Sequence, residues 1–185
     1  MPKEIFYDTE TSGFPSTKIP WGHEDQPDLL QFGLIARNNG RIVGQCCFFV
    51  ETTLLEIPAE ALSVHNITPE IANASGMSYG SIVSLFNFFI SRADRRIAHN
   101  EDFDWKMMQV AAARAGIELA PAKGQEAFCT QKNGAAYNNG TWPKLKDAHR
   151  ILCGSEPEVQ HNAMADTISC MHVYDELIKR EEVPA

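Results

Sequence analysis

LQFGLIAR (residues 30–37) and RIVGQCCFFV (residues 41–50) are two apolar runs separated by Asn38-Asn39-Gly40. Asn and Gly tolerate the positive φ of a tight turn, so the runs read as the two strands of a hairpin. Upstream, residues 4–8 (Glu4-Ile5-Phe6-Tyr7-Asp8) form another short strand, and the three together make an antiparallel meander. Downstream the apolar period lengthens from two to about 3.6 residues. Tyr79, Ile82, Val83, Phe86, Phe89 and Ile90 recur at helical spacing and mark one buried face. Arg96-Ile97-Ala98 is a short buried strand. Residues 101–115 form a helix, with Asn100 as its cap and Gly116 as its stop. Residues 144–153 and 163–180 are two more helices, the last ending in Lys179-Arg180 at the negative end of its dipole. Strands first, then helices with one strand inserted, make this an α/β (α+β) mixed-sheet domain. Residues 14–28 are a long loop carrying three prolines, Trp21 and His23, and loops of that length are usually functional or disordered.

The chain has 185 residues and 24 acidic against 16 basic side chains, a formal charge of −8. That length is one domain, residues 1–185, with room for a sizeable core. An apolar content of 44% with 22% charged residues argues against disorder. The acidic balance excludes a protein that holds nucleic acid through a broad basic surface. The five cysteines are odd in number and contain no CxxC pair, so neither a disulfide framework nor a structural zinc site is expected. They read as small buried apolar groups in a reducing cytoplasm. No signal peptide precedes Ile5-Phe6-Tyr7. The most apolar stretch, Ile82 to Ile90, is broken by Ser84 and Asn87 and falls short of the ~20 residues of a membrane span, so no membrane partner is expected.

Three acidic segments carry the chemistry. Strand alternation puts Asp8 and Glu10 on one face at a strand end, where they repel and raise each other's pKa. A divalent cation with a taste for hard oxygen ligands, Mg²⁺ or Mn²⁺, removes that penalty; the plainer reading is a solvated strand end. HNEDFDWKMM (residues 99–108) follows a strand and opens a helix. Asp104 falls in its first turn, where the dipole favours carboxylates, and Glu101 and Asp102 are either groups that support a neighbouring ligand or, the plainer reading, helix-start carboxylates. In HNAMADT (residues 161–167) the five-residue spacing from His161 to Asp166 turns a helix by ~500°, so the two would not share a helix face. His161 is therefore placed in the loop before the helix and Asp166 in its first turns. Lys144, Lys146 and Arg150 lie on one side of the preceding helix, a basic strip that either touches phosphates or is simply solvated, the second being the plainer reading.

Taken together, DTETSG (residues 8–13), HNEDFD (99–104) and HNAMAD (161–166) resemble, in order and spacing, the DEDDh 3′–5′ exonucleases. This family includes the proofreading epsilon subunit of bacterial DNA polymerase III and ribonuclease T. The resemblance runs from Ile5 to about Leu177, with smaller echoes at Gln31-Phe32-Gly33 and Val64-His65-Asn66-Ile67-Thr68. It implies a ribonuclease H-like fold, a central mixed five-stranded sheet flanked by helices. Asp8, Glu10, Asp104 and Asp166 would ligate two Mg²⁺ or Mn²⁺ ions, and His161 would be the general base. The implied product is a nucleoside 5′-monophosphate clipped from a single-stranded or frayed 3′ end, DNA being favoured over RNA trimming. Phe14 and Phe103 would pack against terminal bases, although Phe103 with Met107 at i+4 also fits ordinary core packing. Thr11, Gly13, His65, Ile67 and Asn100 would contact substrate. The loop 14–28 is longer than in compact relatives and is expected to shape access through Trp21.

The competing class is a catalytically silent module that binds nucleic-acid ends. All four acids and the histidine are present, which favours the enzyme. The epsilon subunit carries a polymerase-binding tail, and the chain ends soon after its last motif, at Ala185. A stand-alone nuclease is therefore expected, with a polymerase or other replication partner as the alternative. His99-Asn100-Glu101 matches the HxE of zinc deaminases, but no PCxxC follows, and no HExxH, GxSxG or phosphate loop occurs. Two divalent ions would bring −8 to about −4, and an exonuclease grips few phosphates, so the acidic balance excludes only a long-footprint binder.

Overall fold

The tight turn forms as its residues require: Asn39 and Gly40 take φ of 50° and 74°. Strands β2 (Leu29–Asn38) and β3 (Arg41–Phe49) pair antiparallel across it. This is a computed structural model, and it describes residues 3–182 apart from 158 and 160. Strand β1 (Lys3–Thr11) runs three residues beyond the expected end at Asp8, because the β-branched Thr9 and Thr11 keep the chain extended against β2. Its ladder breaks only at an irregularity between Glu10 and Thr11. The Asp8–Glu10 pair is therefore held inside a regular strand, on one face of the sheet.

Strands β4 (Arg95–Ala98) and β5 (Glu126–Cys129) add in parallel on the other side of β1, giving the order β3-β2-β1-β4-β5. This is the mixed five-stranded sheet the resemblance implied. Short helices α1 (Ala59–His65) and α2 (Pro69–Ser75) lie between β3 and α3 (Tyr79–Ile90). Helix α4 (Glu101–Ala115) follows β4, and α5 (Thr130–Gly134), α6 (Leu145–Cys153) and α7 (Ala163–Glu182) follow β5.

Alternation along β1 sorts the core into layers. Ile5 and Tyr7 face α3 and α4, packing with Leu34, Phe86, Met107, Met108 and Ala111. Phe6 faces the other way, with Ile35, Ile97, Leu152, Val173 and Leu177 beneath α6 and α7. A smaller cluster of Leu30, Ile57, Ile67 and Ala72 anchors α1 and α2. Two expectations are adjusted here. Asn100 stands at the start of α4 in the left-handed region (φ 70°) and makes no side-chain capping bond. Among the cysteines only Cys170 is buried; the other four are half-buried. No helix among the described residues is long and apolar enough to cross a membrane.

Candidate active site

The ends of β1 and β4 meet the starts of α4 and α7 at one edge of the sheet. Helix α7 is set there by β2. The amide of Ala163 donates to Gln31 Oε1 (2.9 Å), and Gly33 lets the helix start press onto the strand. A Cβ at position 33 would lie 2.5 Å from the Ala163 carbonyl oxygen, so only glycine fits this approach. The result brings Asp166 over the face that carries Asp8 and Glu10. One carboxylate oxygen from each of these three lies within 4.8 Å of the others. Asp104 enters from the opposite face, buried, and accepts a hydrogen bond from Thr9 Oγ1 (2.7 Å).

Gathering these acids is electrostatically unfavourable. Burial lifts Asp8 well above the usual carboxylate range, and the charges of Asp104, Glu10 and Asp166 lift it further. Burial, followed by the Asp166 charge, pushes Glu10 up to about 8. Burial also raises Asp166, against the lowering effect of the His161 backbone N–H and imidazole. Asp104 is raised by burial, against the Thr9 hydrogen bond. An all-oxygen donor set of mutually repelling carboxylates fits a hard divalent cation, whose charge would relieve the repulsion.

His161 precedes α7 in the left-handed region, at φ 58°. Its backbone N–H donates to Asp166 Oδ2 (3.0 Å), and its exposed imidazole borders a cleft of about 160 Å³ that it shares with Asp166, Lys144, Lys146 and Pro157. His65 is different. Its Nδ1 accepts from the Ile67 amide (2.9 Å), so the ring proton sits on Nε2, which donates to the Thr11 carbonyl (3.2 Å). Burial lowers its pKa, and it serves as a neutral strut between α1 and the end of β1. His99 is also neutral: burial drives it down to about 4, and it ties β4 to Thr130 and to the Pro143 carbonyl.

The remaining residues divide. Phe14 is 87% exposed, and its ring meets the half-buried Phe103 edge-on at 5.8 Å. Asn100 is exposed; Gly13 is half-buried, its carbonyl accepting from the buried Thr11 hydroxyl (2.7 Å). Ile67 is turned inward, 4% exposed among Leu30, Ile57 and Ala72. Glu101 is more than a helix-start carboxylate: buried, it accepts from Tyr7 Oη (2.9 Å) and from Arg96 Nε (2.5 Å), clamping the first turn of α4 to β1 and β4. Asp102 is exposed and pairs with Lys106. Trp21 lies in a groove with Trp105, Gln109, Ala112 and Leu119, and none of the four site carboxylates lines that groove. Gln31, Gly33 and Thr9 were not legible as site supports. The available signals were the Gln31-Phe32-Gly33 echo of the family and Gly33 itself, since a glycine inside a strand marks close approach of another backbone.

The family model described as exonuclease, RNase_T, matches residues 5–174. The chain belongs to the RNase_T exonuclease family. The resemblance to DEDDh exonucleases, the expected fold and the expectation of an exonuclease enzyme are thereby borne out. Among solved structures, the exonuclease fold of this chain is shared with E. coli exonuclease I in complex with a dT13 oligonucleotide (TM-score 0.75, 18% identity, 97% of this chain and 41% of that one). Another exonuclease I structure superposes with a TM-score of 0.77 at 17% identity, again over 97% and 41%. The zinc-ion-bound form of the E. coli exonuclease I complex with single-stranded DNA gives 0.74 at 16% identity, over 98% and 41%. The chain thus spans about two fifths of the length of these proteins. Comparison with curated protein sequences finds no match.

Proposed function

We propose that this exonuclease removes nucleoside 5′-monophosphates one at a time from a single-stranded or frayed 3′ end, acting on DNA in preference to RNA. The observation that carries the reading is the convergence of Asp8, Glu10 and Asp166 within 4.8 Å, with exposed His161 at their rim. Asp8, Glu10, Asp104 and Asp166 would hold two Mg²⁺ or Mn²⁺ ions. When bound, such a pair supplies an acidified water and charge neutralisation for in-line displacement at phosphorus. The protein's own groups do the rest. His161, exposed beside Asp166, takes the proton from the attacking water. Thr9 and the Glu101 clamp hold Asp104 in place. Phe14, exposed and braced by Phe103, offers a π-face for a terminal base of any identity. DNA as substrate is favoured by the fold shared with E. coli exonuclease I, which has been seen with dT13 and dA16 oligonucleotides.

The test is digestion of labelled single-stranded DNA and RNA oligomers with Mg²⁺ or with EDTA, beside an Asp8→Ala variant. Stepwise loss from the 3′ end that needs the cation and Asp8, faster on DNA, is the expected result. If neither polymer is shortened, the chain is a silent end-binding module; if RNA is shortened faster, the substrate assignment falls.

A further inference from the structure

Two lysines at the start of α6 stand in a setting that the carboxylate site does not explain. Lys144 and Lys146 line the cleft of about 160 Å³ whose other wall is His161 and Asp166, with Leu145 and Pro157 completing it. Both are exposed, and among the described residues neither ammonium group makes a hydrogen bond or ion pair. Their neighbour is spoken for. Arg150, on the same helix, pairs with Asp147 and lies 3.9 Å from Glu156. The basic strip expected along α6 is therefore split. Arg150 belongs to a local ion-pair network, and the two lysines face the cleft.

The backbone that carries them is fixed. The Pro143 carbonyl accepts from His99 Nε2 (3.1 Å), and Pro143 is buried with its ring over Gly134. The Lys144 carbonyl accepts from the Ala148 amide (2.9 Å), starting α6. Two cations on a rigid base therefore confront the one wall of the site that is otherwise a carboxylate and an imidazole. In a chain of net charge −8 such a placement has an evident anionic counterpart, the phosphodiester.

We propose that Lys144 and Lys146 bind the non-bridging oxygens of the phosphate under attack, which leaves as the 5′-phosphate of the released nucleotide. This rests on the exonuclease reading above. In that hydrolysis the water oxygen bonds to phosphorus, one of its protons passes to His161, and the bond to the 3′ oxygen of the shortened strand breaks, that oxygen taking a proton from solvent water to become the new 3′ hydroxyl. The phosphoryl group stays with the departing nucleotide. Cations beside His161 thus touch the same group in substrate and in product, and the oxygens they hold gain charge in the transition state between the two. They should govern kcat/KM and product inhibition.

The experiment compares wild type with the double variants K144A/K146A and K144R/K146R and with Arg150→Ala, using single-stranded DNA oligomers over a range of salt. It adds inhibition by a nucleoside 5′-monophosphate and by the matching nucleoside. For K144A/K146A, kcat/KM is expected to fall roughly tenfold or more, and the slope of log(kcat/KM) against log[salt] should shrink by about one, as loss of one or two phosphate contacts requires. Inhibition by the monophosphate should weaken by a similar factor while that by the nucleoside stays as it was. The arginine pair should restore the salt slope, and Arg150→Ala should behave as wild type. Because the lysines are exposed, thermal melting should not change. An unaltered kcat/KM and salt slope in K144A/K146A of an active enzyme would overturn the lysine assignment alone. If the wild-type protein cleaves no oligomer, the exonuclease reading falls first and takes this inference with it.

Discussion

His161 pays for its position: a non-glycine residue in the left-handed region costs roughly 1 kcal/mol or more, and such strain persists where surrounding contacts enforce it. Here the enforcing contact is the bond from its own amide to Asp166, which leaves the imidazole exposed at the cleft. Asn tolerates this φ better than most residues, so His161→Asn should fold as wild type and keep the amide–Asp166 bond. It should retain Mn²⁺ affinity within a few fold, measured by titration, while kcat drops about 10²- to 10⁴-fold. His161→Ala should lose turnover equally and melt slightly earlier. Wild-type turnover in either variant would remove the histidine from the role of base. At this scale much of the site was legible. Alternation alone places Asp8 and Glu10 together, and the five-residue spacing alone separates His161 from the helix of Asp166. The hydroxyl of Thr9 on Asp104 was not, because it joins opposite faces of one strand through a helix 95 positions away. Nor was the inward turn of Ile67, which depends on how α1 and α2 pack.

Helix α7 reaches the metal-binding face only because β2 lets it. The Ala163 carbonyl would lie 2.5 Å from a Cβ at position 33, and its carbon 2.6 Å, so the obstacle is backbone and cannot rotate aside. Gly33→Ala should therefore push the start of α7 off the sheet. We expect a loss of about 1–3 kcal/mol, the usual penalty for overpacking, or roughly 3–10 °C in Tm for a domain of this size. Because the shift moves Asp166 away from Asp8 and Glu10, Mn²⁺ affinity should fall with it; a stable variant with unchanged affinity would show that α7 can be seated another way. Elements were legible in proportion to their length. The 12 residues of α3 and the 15 of α4 display their faces, whereas α1 and α2 at seven residues and α5 at five complete fewer than about two turns, too few for a period to show. Strand β5 has only Phe128 buried. The loop 14–28 is organised around buried Gln26, which donates to the carbonyls of Ser16, Ile19 and Pro20 and accepts from the Ser16 amide, while Arg114 ties down the Gln26 carbonyl and Asp28. Nothing in a run of prolines reveals that organisation.

Across the whole molecule, the carboxylate cluster makes stability depend on pH in the direction opposite to that of an ordinary salt-bridged acid. Asp8, Glu10, Asp104 and Asp166 all hold protons more tightly folded than unfolded, Glu10 up to about 8. Between the unfolded carboxylate range near ~4 and the raised folded values, the native state carries more protons than the unfolded state. Stability must then fall as pH rises through that window, and it is fully present only below it. The buried histidines His65 and His99, whose pKa values are lowered, pull the other way below the ordinary imidazole range; with that pull removed by comparison with Glu10→Gln, the metal-free protein, prepared with EDTA, should favour pH 5.5 over pH 8. The paired acids Glu70 and Glu176, whose pKa values are lowered by hydrogen bonds from Thr68 and Lys179, lose their contribution only at more acidic pH and do not enter this comparison. Adding Mg²⁺ or Mn²⁺ should reverse the order, because a cation displaces protons that pH 8 has already removed. At a hundredfold excess over Kd the linkage amounts to about 2.7 kcal/mol, or roughly 5–10 °C in Tm for about 185 residues, with a smaller rise at pH 5.5. Glu10→Gln should flatten the metal-free profile and weaken the response to cation together. Calorimetric melting at the two pH values, with and without the cation, checks all of this in one set of scans. A metal-free protein whose pH dependence matched that of Glu10→Gln would show that Glu10 ionises without opposition from its neighbours, and the case for a cation between them would lose its electrostatic basis.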